Sequence, residues 1–436
     1  MILGATVALS SCNGEETPEV TETADPTEGK VSVVRALIVM EAGTKVERRN
    51  FEEVWVDEGT VPADAYASIA DVVNKFLTVK VYPGDMLVPD KVGKLINSDA
   101  NGSDFSEDHK DYVLVTEYTD GVSGDISDEI QKAIDENPNK TIYFPDGKYN
   151  IAKPIKTSAD PAKAVSLKLS AYAVINAMDS DKWTKDSALF ELGAQDDVKD
   201  MSTTTYIEGG VLNSDGRCNC LIIAGGNVLV NNISFKKGLT GIIIRAGARA
   251  DVDSCVIAGA DGAKSLGVLM EGEESTLTNM RICSIITGVK LTGSNNVLRN
   301  IHPLGGTQDM IESTGFWDSS ENGNFYDICY SDQFANSFRL DNGAPSVFSG
   351  CFGYWYNGNN GNHYGFLSEG PFNAIAINTR ISLSSGHKEN CDLSYLVVEK
   401  TGGSGLVVYP RVSQSLDEHF AEPGHLNDYL ATAVMS

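Results

Sequence analysis

Thr276-Leu-Thr-Asn-Met-Arg-Ile-Cys283, followed shortly by Gly288-Val-Lys-Leu-Thr292, is the stretch that decides the fold. Its first part sets a small or amide residue between hydrophobic ones. The same phrase centres on Gly210, Asn232, Ser254, Asn279, Asn300, Asp327 and Gly350, at separations of 21 to 27 residues. Its second part, glycine followed by alternating apolar and variable positions, recurs as Gly241-Ile-Ile-Ile-Arg245 and Gly267-Val-Leu-Met-Glu271. A unit of this length is the mark of a solenoid, and short Val-, Ile- and Leu-rich runs between turn residues make its segments strands. The pattern predicts an all-β chain, a right-handed single-stranded parallel β-helix.

Strand alternation sorts the glycine-led segments into two faces. Inward fall Ile242 and Ile244, Val268 and Met270, Val289 and Leu291, Ile311 and Ser313, Phe338 and Leu340, Phe366 and Ser368. Outward fall Ile243 and Arg245, Leu269 and Glu271, Lys290 and Thr292, Glu312 and Thr314, Arg339 and Asp341, Leu367 and Glu369. The outer face is therefore expected to be apolar at one end and charged toward the middle and C-terminal coils. Phe316-Trp317-Asp318 and the run from Tyr354-Trp355-Tyr356 to His363-Tyr364 are expected as aromatic loops walling this face.

The chain of 436 residues carries a formal charge of −26. That balance argues against nucleic acid and against a basic membrane-binding patch. At the N-terminus a short apolar run, Ile2 to Leu9, leads into Leu9-Ser10-Ser11-Cys12. This has the form of a lipoprotein signal, with residues 1–12 as the leader and Cys12 as the lipidated residue. Eight apolar residues are too few to cross a bilayer. Residues 13–30, rich in Thr, Pro and Glu, read as a solvated tether and resemble those of Bacteroidetes-type surface lipoproteins. The expected location is the outer membrane or cell surface, with membrane contact through the lipid alone. Cys255 and Cys351 fall beside phrase centres and read as core fillers. Cys218-Asn-Cys220 has no assigned role, and the cysteine spacing matches no zinc pattern.

Residues 31–96 form a candidate small β domain. A β-rich run at Val31–Met40, turns at Gly43-Thr44 and Pro83-Gly84-Asp85, and the segment Gly84-Asp85-Met86-Leu87 resemble the SAF module, a β-clip domain that binds or positions. Residues 97–111 are a polar linker. Residues 112–436 are the β-helix domain, opening with Asp120-Gly-Val-Ser-Gly-Asp125-Ile-Ser-Asp-Glu-Ile-Gln-Lys-Ala-Ile134 and Lys140-Thr-Ile-Tyr-Phe-Pro-Asp-Gly-Lys-Tyr149. Ile126, Ile130, Ala133 and Ile134 share one helical face, with Asp125 or Ser127 placed to cap it and Asn137-Pro138-Asn139 to end it.

This segment resembles the entry of the pectate-lyase-superfamily β-helix proteins, the group with rhamnogalacturonase, epimerase and tailspike members. The resemblance implies that the helix plugs the open end of the solenoid, that an asparagine ladder marks the turn between the second and third sheets, and that the first sheet carries the active groove. It leaves the chemistry open.

Three readings of the groove compete. A lyase acting on a uronate-containing polysaccharide by β-elimination would use Lys290 or Arg339 as base or neutralising charge, and Glu312, Asp341 and Glu369 could hold calcium. An inverting glycoside hydrolase would use paired carboxylates. A carbohydrate-binding or adhesin-like solenoid would use neither. The lyase is the leading expectation, with Lys290, Glu312, Arg339 and Asp341 as catalytic candidates. Arg245, Trp317, Tyr354, Trp355, Tyr356, His363 and Glu369 are the expected substrate-binding residues. Polygalacturonase motifs are not intact: Asn378-Thr-Arg380 has Arg where that family has Asp. His302 reads as structural, and the sequence leaves the oligomeric state open.

Overall fold

The left-handed backbone corner sets the architecture. In the computed structural model, Asn232, Ser254, Asn279 and Asn300 all have φ between 52° and 55°. Further along the same stack stand Ile328 (46°), Gly350 (61°), Asn378 (50°) and Tyr409 (49°). Asparagine and glycine accept this conformation readily, because a short polar side chain or none avoids the Cβ clash. The corner lies one residue beyond Asp327, which closes the strand Phe325–Asp327 instead. Amides bond along the stack: Asn300 Nδ2 donates to Asn279 Oδ1 (2.8 Å), and Asn279 Nδ2 donates to Asp253 Oδ1 (2.8 Å).

The structure describes residues 29–41, 44–73, 75–93, 112–119, 124–196, 200–259, 265–305, 312–355, 361–383, 391–413 and 421–430. Cys12, most of the tether, Tyr356 and the whole linker 97–111 lie outside the described residues. Two compact units divide the chain at 106/107.

In the first unit Lys30–Ala36 pairs antiparallel with Phe51–Asp57. Val34, Phe51, Val72, Leu77, Val81 and Leu87 form its own core.

The second unit is a parallel β-solenoid. Eleven strands, from Ile155–Lys156 to Ala421–Gly424, stack in sequence order as the first sheet. Between them the chain supplies one strand to a second sheet and one to a third in each coil. The pairing Ile175↔Leu212 in the third sheet and Val230↔Val252 in the second illustrate the register. Connections of this kind coil right-handed almost without exception.

In five first-sheet strands a glycine (Gly241, Gly267, Gly288, Gly315 or Gly365) sits where side chains crowd. A Cβ at Gly288 would lie 2.3 Å from Gly315 O and 2.6 Å from Pro303 Cβ. Inside, one row runs Phe190, Leu221, Ile242, Val268, Val289, Phe316, Phe338, Phe366 and Leu396. Its aromatic rings stack, Phe316 on Phe338 at 5.2 Å and Phe338 on Phe366 at 5.0 Å.

Helix Ser127–Asp135 buries Ile130, Ala133 and Ile134 against this core at its N-terminal end. Gln131 fixes the helix to the first sheet by donating to Lys156 O and accepting from Lys156 N, both at 2.9 Å. Asp125 Oδ1 accepts from the Ser127 and Ala152 backbone N–H groups (3.0 and 2.9 Å), tying the helix start to the first coil. Without such a plug the apolar interior and the strand edge would meet water.

Two outcomes follow. Ile328 is β-branched and half exposed in a left-handed corner, a conformation that costs it roughly 1 kcal/mol or more. Ile328→Asn is expected to stabilise the second unit by about that amount in urea unfolding. The Asp253 carboxylate is held below its ordinary value of 3.8 by the Thr278 hydroxyl, then by Ser254 and Asn279. A depressed acid stabilises above its unfolded pKa and loses that contribution as pH falls through its folded one. Asp253→Asn is therefore expected to flatten the decline in urea midpoint as pH drops below about 4.

Candidate functional site

Three rows of side chains line the outer face of the first sheet, and strand register places each one. The central row runs Lys156, Glu191, Ile222, Ile243, Leu269, Lys290, Trp317, Arg339, Leu367 and Val397. The row at the C-terminal ends of the strands contains Arg245, Glu271, Thr292, Ser319, Asp341, Glu369 and Glu399. Its members follow one another through parallel ladder bonds such as Asp341 N to Asp318 O (3.0 Å) and Glu369 N to Leu340 O (2.8 Å). The third row includes Thr240, Leu266, Thr287, Thr314, Asn336 and Tyr364.

The expected polarity of this face is present. Ala188, Ile222 and Ile243 form a buried apolar cluster on it, with Ala224 and Leu269 against them. Lys156 and Glu191 pair at the N-terminal end of the central row (3.3 Å); beyond the apolar cluster the charged groups resume with Arg245–Glu271, paired at 3.1 Å, and continue to Lys290 and beyond.

Lys290, Trp317 and Arg339 occupy three successive rungs. The Lys290 ammonium lies 3.8 Å from the centroid of the Trp317 ring and the Arg339 guanidinium carbon 4.0 Å from it. The indole is thus held between two cations, each attracted by the negative face of the ring. Its edge is fixed as well, because Trp317 Nε1 donates to Asp341 Oδ2 at 2.5 Å. Asp341 Oδ2 also accepts from Ser319 Oγ (2.8 Å), and Asp341 Oδ1 accepts from Arg339 Nε (2.9 Å). Arg339 Nη2 pairs in addition with Glu369. Asn342 Nδ2 donates to Ser319 O (2.7 Å). Among the described residues, Lys290 is the one cation of the site with no carboxylate at ion-pair distance; Arg245 and Arg339 are both neutralised.

The structure corrects several expectations. Glu312 does not lie on a first-sheet strand: it is an exposed turn residue before Thr314–Asp318, which is the strand of that coil. Trp317 takes the central outward place assigned to Glu312, Phe316 points inward, and the expected aromatic loop is this strand. The coil is longer than its predecessor, so counting forward from Asn300 placed the strand too early. Trp355 is buried, with Nε1 donating to Phe334 O (2.6 Å), and its ring lies 5.7 Å from the buried His363. Both belong to the interior. Tyr354 lies on the third sheet, in register with Asp332 and Ser382, away from the groove. Of the candidates, the structure brings together Lys290, Trp317, Arg339, Asp341 and Glu369. Ser319 was missed; once Trp317 is placed, its position two residues on identifies it.

The arrangement limits the chemistry. Asp341 and Glu369 both share the Arg339 guanidinium, a fixed charge, so the carboxylate pair is organised as an ion-pair network. The calcium set does not fit either: Glu312 is elsewhere, and Arg339 supplies the positive charge to the remaining two carboxylates. No group of three or more His, Cys, Asp or Glu among the described residues is placed to hold a metal ion.

No family model and no curated protein matches this sequence. Solved structures do resemble it. PfbA, a surface adhesin of Streptococcus pneumoniae, aligns with a TM-score of 0.43 at 13% identity, covering 71% of this chain and 93% of that one. The endo-xylogalacturonan hydrolase of Aspergillus tubingensis aligns at 0.47 and 13%, covering 69% and 93%. The A-module of the mannuronan C-5 epimerase AlgE4 of Azotobacter vinelandii aligns at 0.39 and 14%, covering 71% and 100%.

Replacing Asp341 removes the acceptor shared by Arg339, Trp317 and Ser319. Asp341→Ala is expected to cost about 2 kcal/mol in urea unfolding, whereas Glu312→Ala, at an exposed turn, is expected to change stability by less than about 0.5 kcal/mol.

Proposed function

We propose that this protein binds an acidic polysaccharide on the outer face of its first sheet, with Lys290 as the charge anchor. The observation that carries this reading is the uncompensated Lys290 ammonium on a platform whose other cations are neutralised. An anionic group of a glycan completes the pattern that Glu271 completes for Arg245 and Asp341 for Arg339. Trp317, clamped between cations, is a rigid support for Lys290, since both its faces are occupied. Arg339, Asp341 and Glu369 then fix the width and polarity of the site rather than exchange protons with the ligand. The reading places the protein at the cell surface, tethered through Cys12; the sequence Leu9-Ser10-Ser11-Cys12 is its support.

A lyase reading rests on the same residue. β-Elimination removes the proton α to a uronate carboxylate, and among the described residues of the site Lys290 is the one cation not held by a carboxylate. A paired-carboxylate hydrolase is the weaker reading, because the two carboxylates share one arginine.

The test uses the full chain with polygalacturonate as the acidic probe and dextran as the neutral one. Binding to polygalacturonate but not dextran is expected, with Lys290→Ala lowering affinity about fivefold, the worth of roughly 1 kcal/mol for one ion pair. Binding unchanged in Lys290→Ala overturns the site. Growth of unsaturated-product absorbance, abolished by Lys290→Ala, would assign lyase activity to the same groove.

A further inference from the structure

The outer face of the second sheet changes character part-way along the solenoid. One outward row passes from Asp251 and Thr276 to Val297, and then through Phe325, Val347, Ile375 and Leu406. The row beside it passes from Asp253 and Thr278 through Arg299 and Asp327, which pair at 3.2 Å, to Ser349, Ile377 and Val408. Polar rungs thus give way to apolar ones. The apolar side chains are not covered: Phe325 is 49% exposed, Val297, Ile375, Ile377 and Leu406 are also exposed, and Tyr409 at the adjoining corner is 73% exposed. The turns that lead into and out of these strands all lie within the described residues.

Strand formation does not demand these residues, because Asp251, Thr276 and Thr278 make the same ladder on the preceding rungs. The strands from Val297 to Ile375 are paired on both sides, so no backbone edge is open to an added strand and any partner meets side chains alone. The apolar row offers a polysaccharide no hydrogen-bonding group. Its chemistry suits another protein face, and three features select a second copy of this chain. The first is charge: a chain at −26 repels its own copies, but among the described residues of these five rungs the charges of the two rows are Arg299 and Asp327, which cancel. The second is area. The exposed apolar side chains present on the order of 600 Å², against the ~800 Å² that each partner gives to an interface of standard size. The third is shape, because rungs repeat at about 4.8 Å and a copy turned about a two-fold axis brings ridges of the same spacing to interleave.

We propose that this face is a dimer interface, on which two copies of the chain pack second sheet against second sheet. Phe325 and Ile375 stand at its centre, and Val297 and Leu406 at its ends. The two sheets lie about 10 Å apart with aligned strands, the ordinary geometry of packed sheets. A two-fold contact uses the same patch on both copies and closes on itself, so the assembly stops at two. The inference is independent of the first-sheet site, which lies on another sheet and has its own residues.

The experiment is sedimentation equilibrium of the full chain from low to high micromolar concentration. The variants are Phe325→Lys, Ile375→Lys and, as a control, Val256→Lys, an equally exposed apolar position on the third sheet. A monomer–dimer equilibrium is expected, shifted toward the dimer by added sodium chloride, which screens the like charges of the two copies. Phe325→Lys and Ile375→Lys should each weaken association at least tenfold with an unchanged melting temperature, since both positions are exposed in the single chain. Val256→Lys and Lys290→Ala should dimerise as the wild type does. A monomer at every concentration overturns the proposal, and so does growth into assemblies without a limiting size. A dimer that withstands both Phe325→Lys and Ile375→Lys, or that Val256→Lys weakens as much, overturns the assignment to this face. None of these outcomes bears on polygalacturonate binding through Lys290, so the two readings fail separately.

Discussion

Every feature of the second unit depends on one geometric constraint: each coil must return to the same left-handed corner so that its strands meet those of the coil before. The stack from Asn232 to Tyr409 satisfies it with four residue classes, amide, small, β-branched and aromatic. In its middle the Asn300 and Asn279 amides bond to one another and end on Asp253. Where Ile328 and Tyr409 take their place, the corner persists although the local residue disfavours it. Pairing on both sides of the turn therefore overrides the local preference, as expected when a parallel ladder and a packed interior act together.

Once the corner is fixed, side chains come in rows, and rows have collective chemistry. The interior row from Phe190 to Leu396 packs aromatic on aromatic in its C-terminal half. The central outer row puts an indole between two cations, and no sequence-local relation links Lys290, Trp317 and Arg339. Separated by 22 to 27 residues, they meet only because three coils are in register. The same mechanism assembles His302, Tyr330 and Phe352 on the third sheet.

This explains what could be read in the sequence. The corner phrase and the glycine-led phrase identified the solenoid and oriented the strands around Ile242, Val268 and Val289 correctly, because Gly241, Gly267 and Gly288 mark where each of these strands begins. They also gave Lys290, Arg339, Asp341 and Glu369 their outward places. The reading slipped in the coil after Asn300, where added residues moved the strand from Glu312 to Thr314–Asp318. A pattern with a period of two changes face with a shift of one residue, so an uneven coil is enough to exchange an acid for a tryptophan. The aromatic run misled for a different reason. Trp355 and His363 lie at the edges of a turn-rich segment, yet both belong to strands, where alternation turns them inward. Composition pointed to sugar stacking, but the register points to core.

The apolar end of the first sheet limits where a ligand can lie. Ile222 and Ile243 occupy the central outer row, and each is only 5% exposed. A groove running the full length of the sheet would have to open over them. They are closed off, with Ala188 packed against them, so beyond the Lys156–Glu191 pair the accessible chemistry of that row resumes at Leu269 and Lys290. Toward the C-terminus the neighbouring row becomes acidic, with Asp341, Glu369 and Glu399 in succession, and only Arg339 answers them. An anionic chain approaching this face meets an apolar wall on one side and carboxylates on the other. Between them stands the Lys290 ammonium, so the anionic group is confined to one rung.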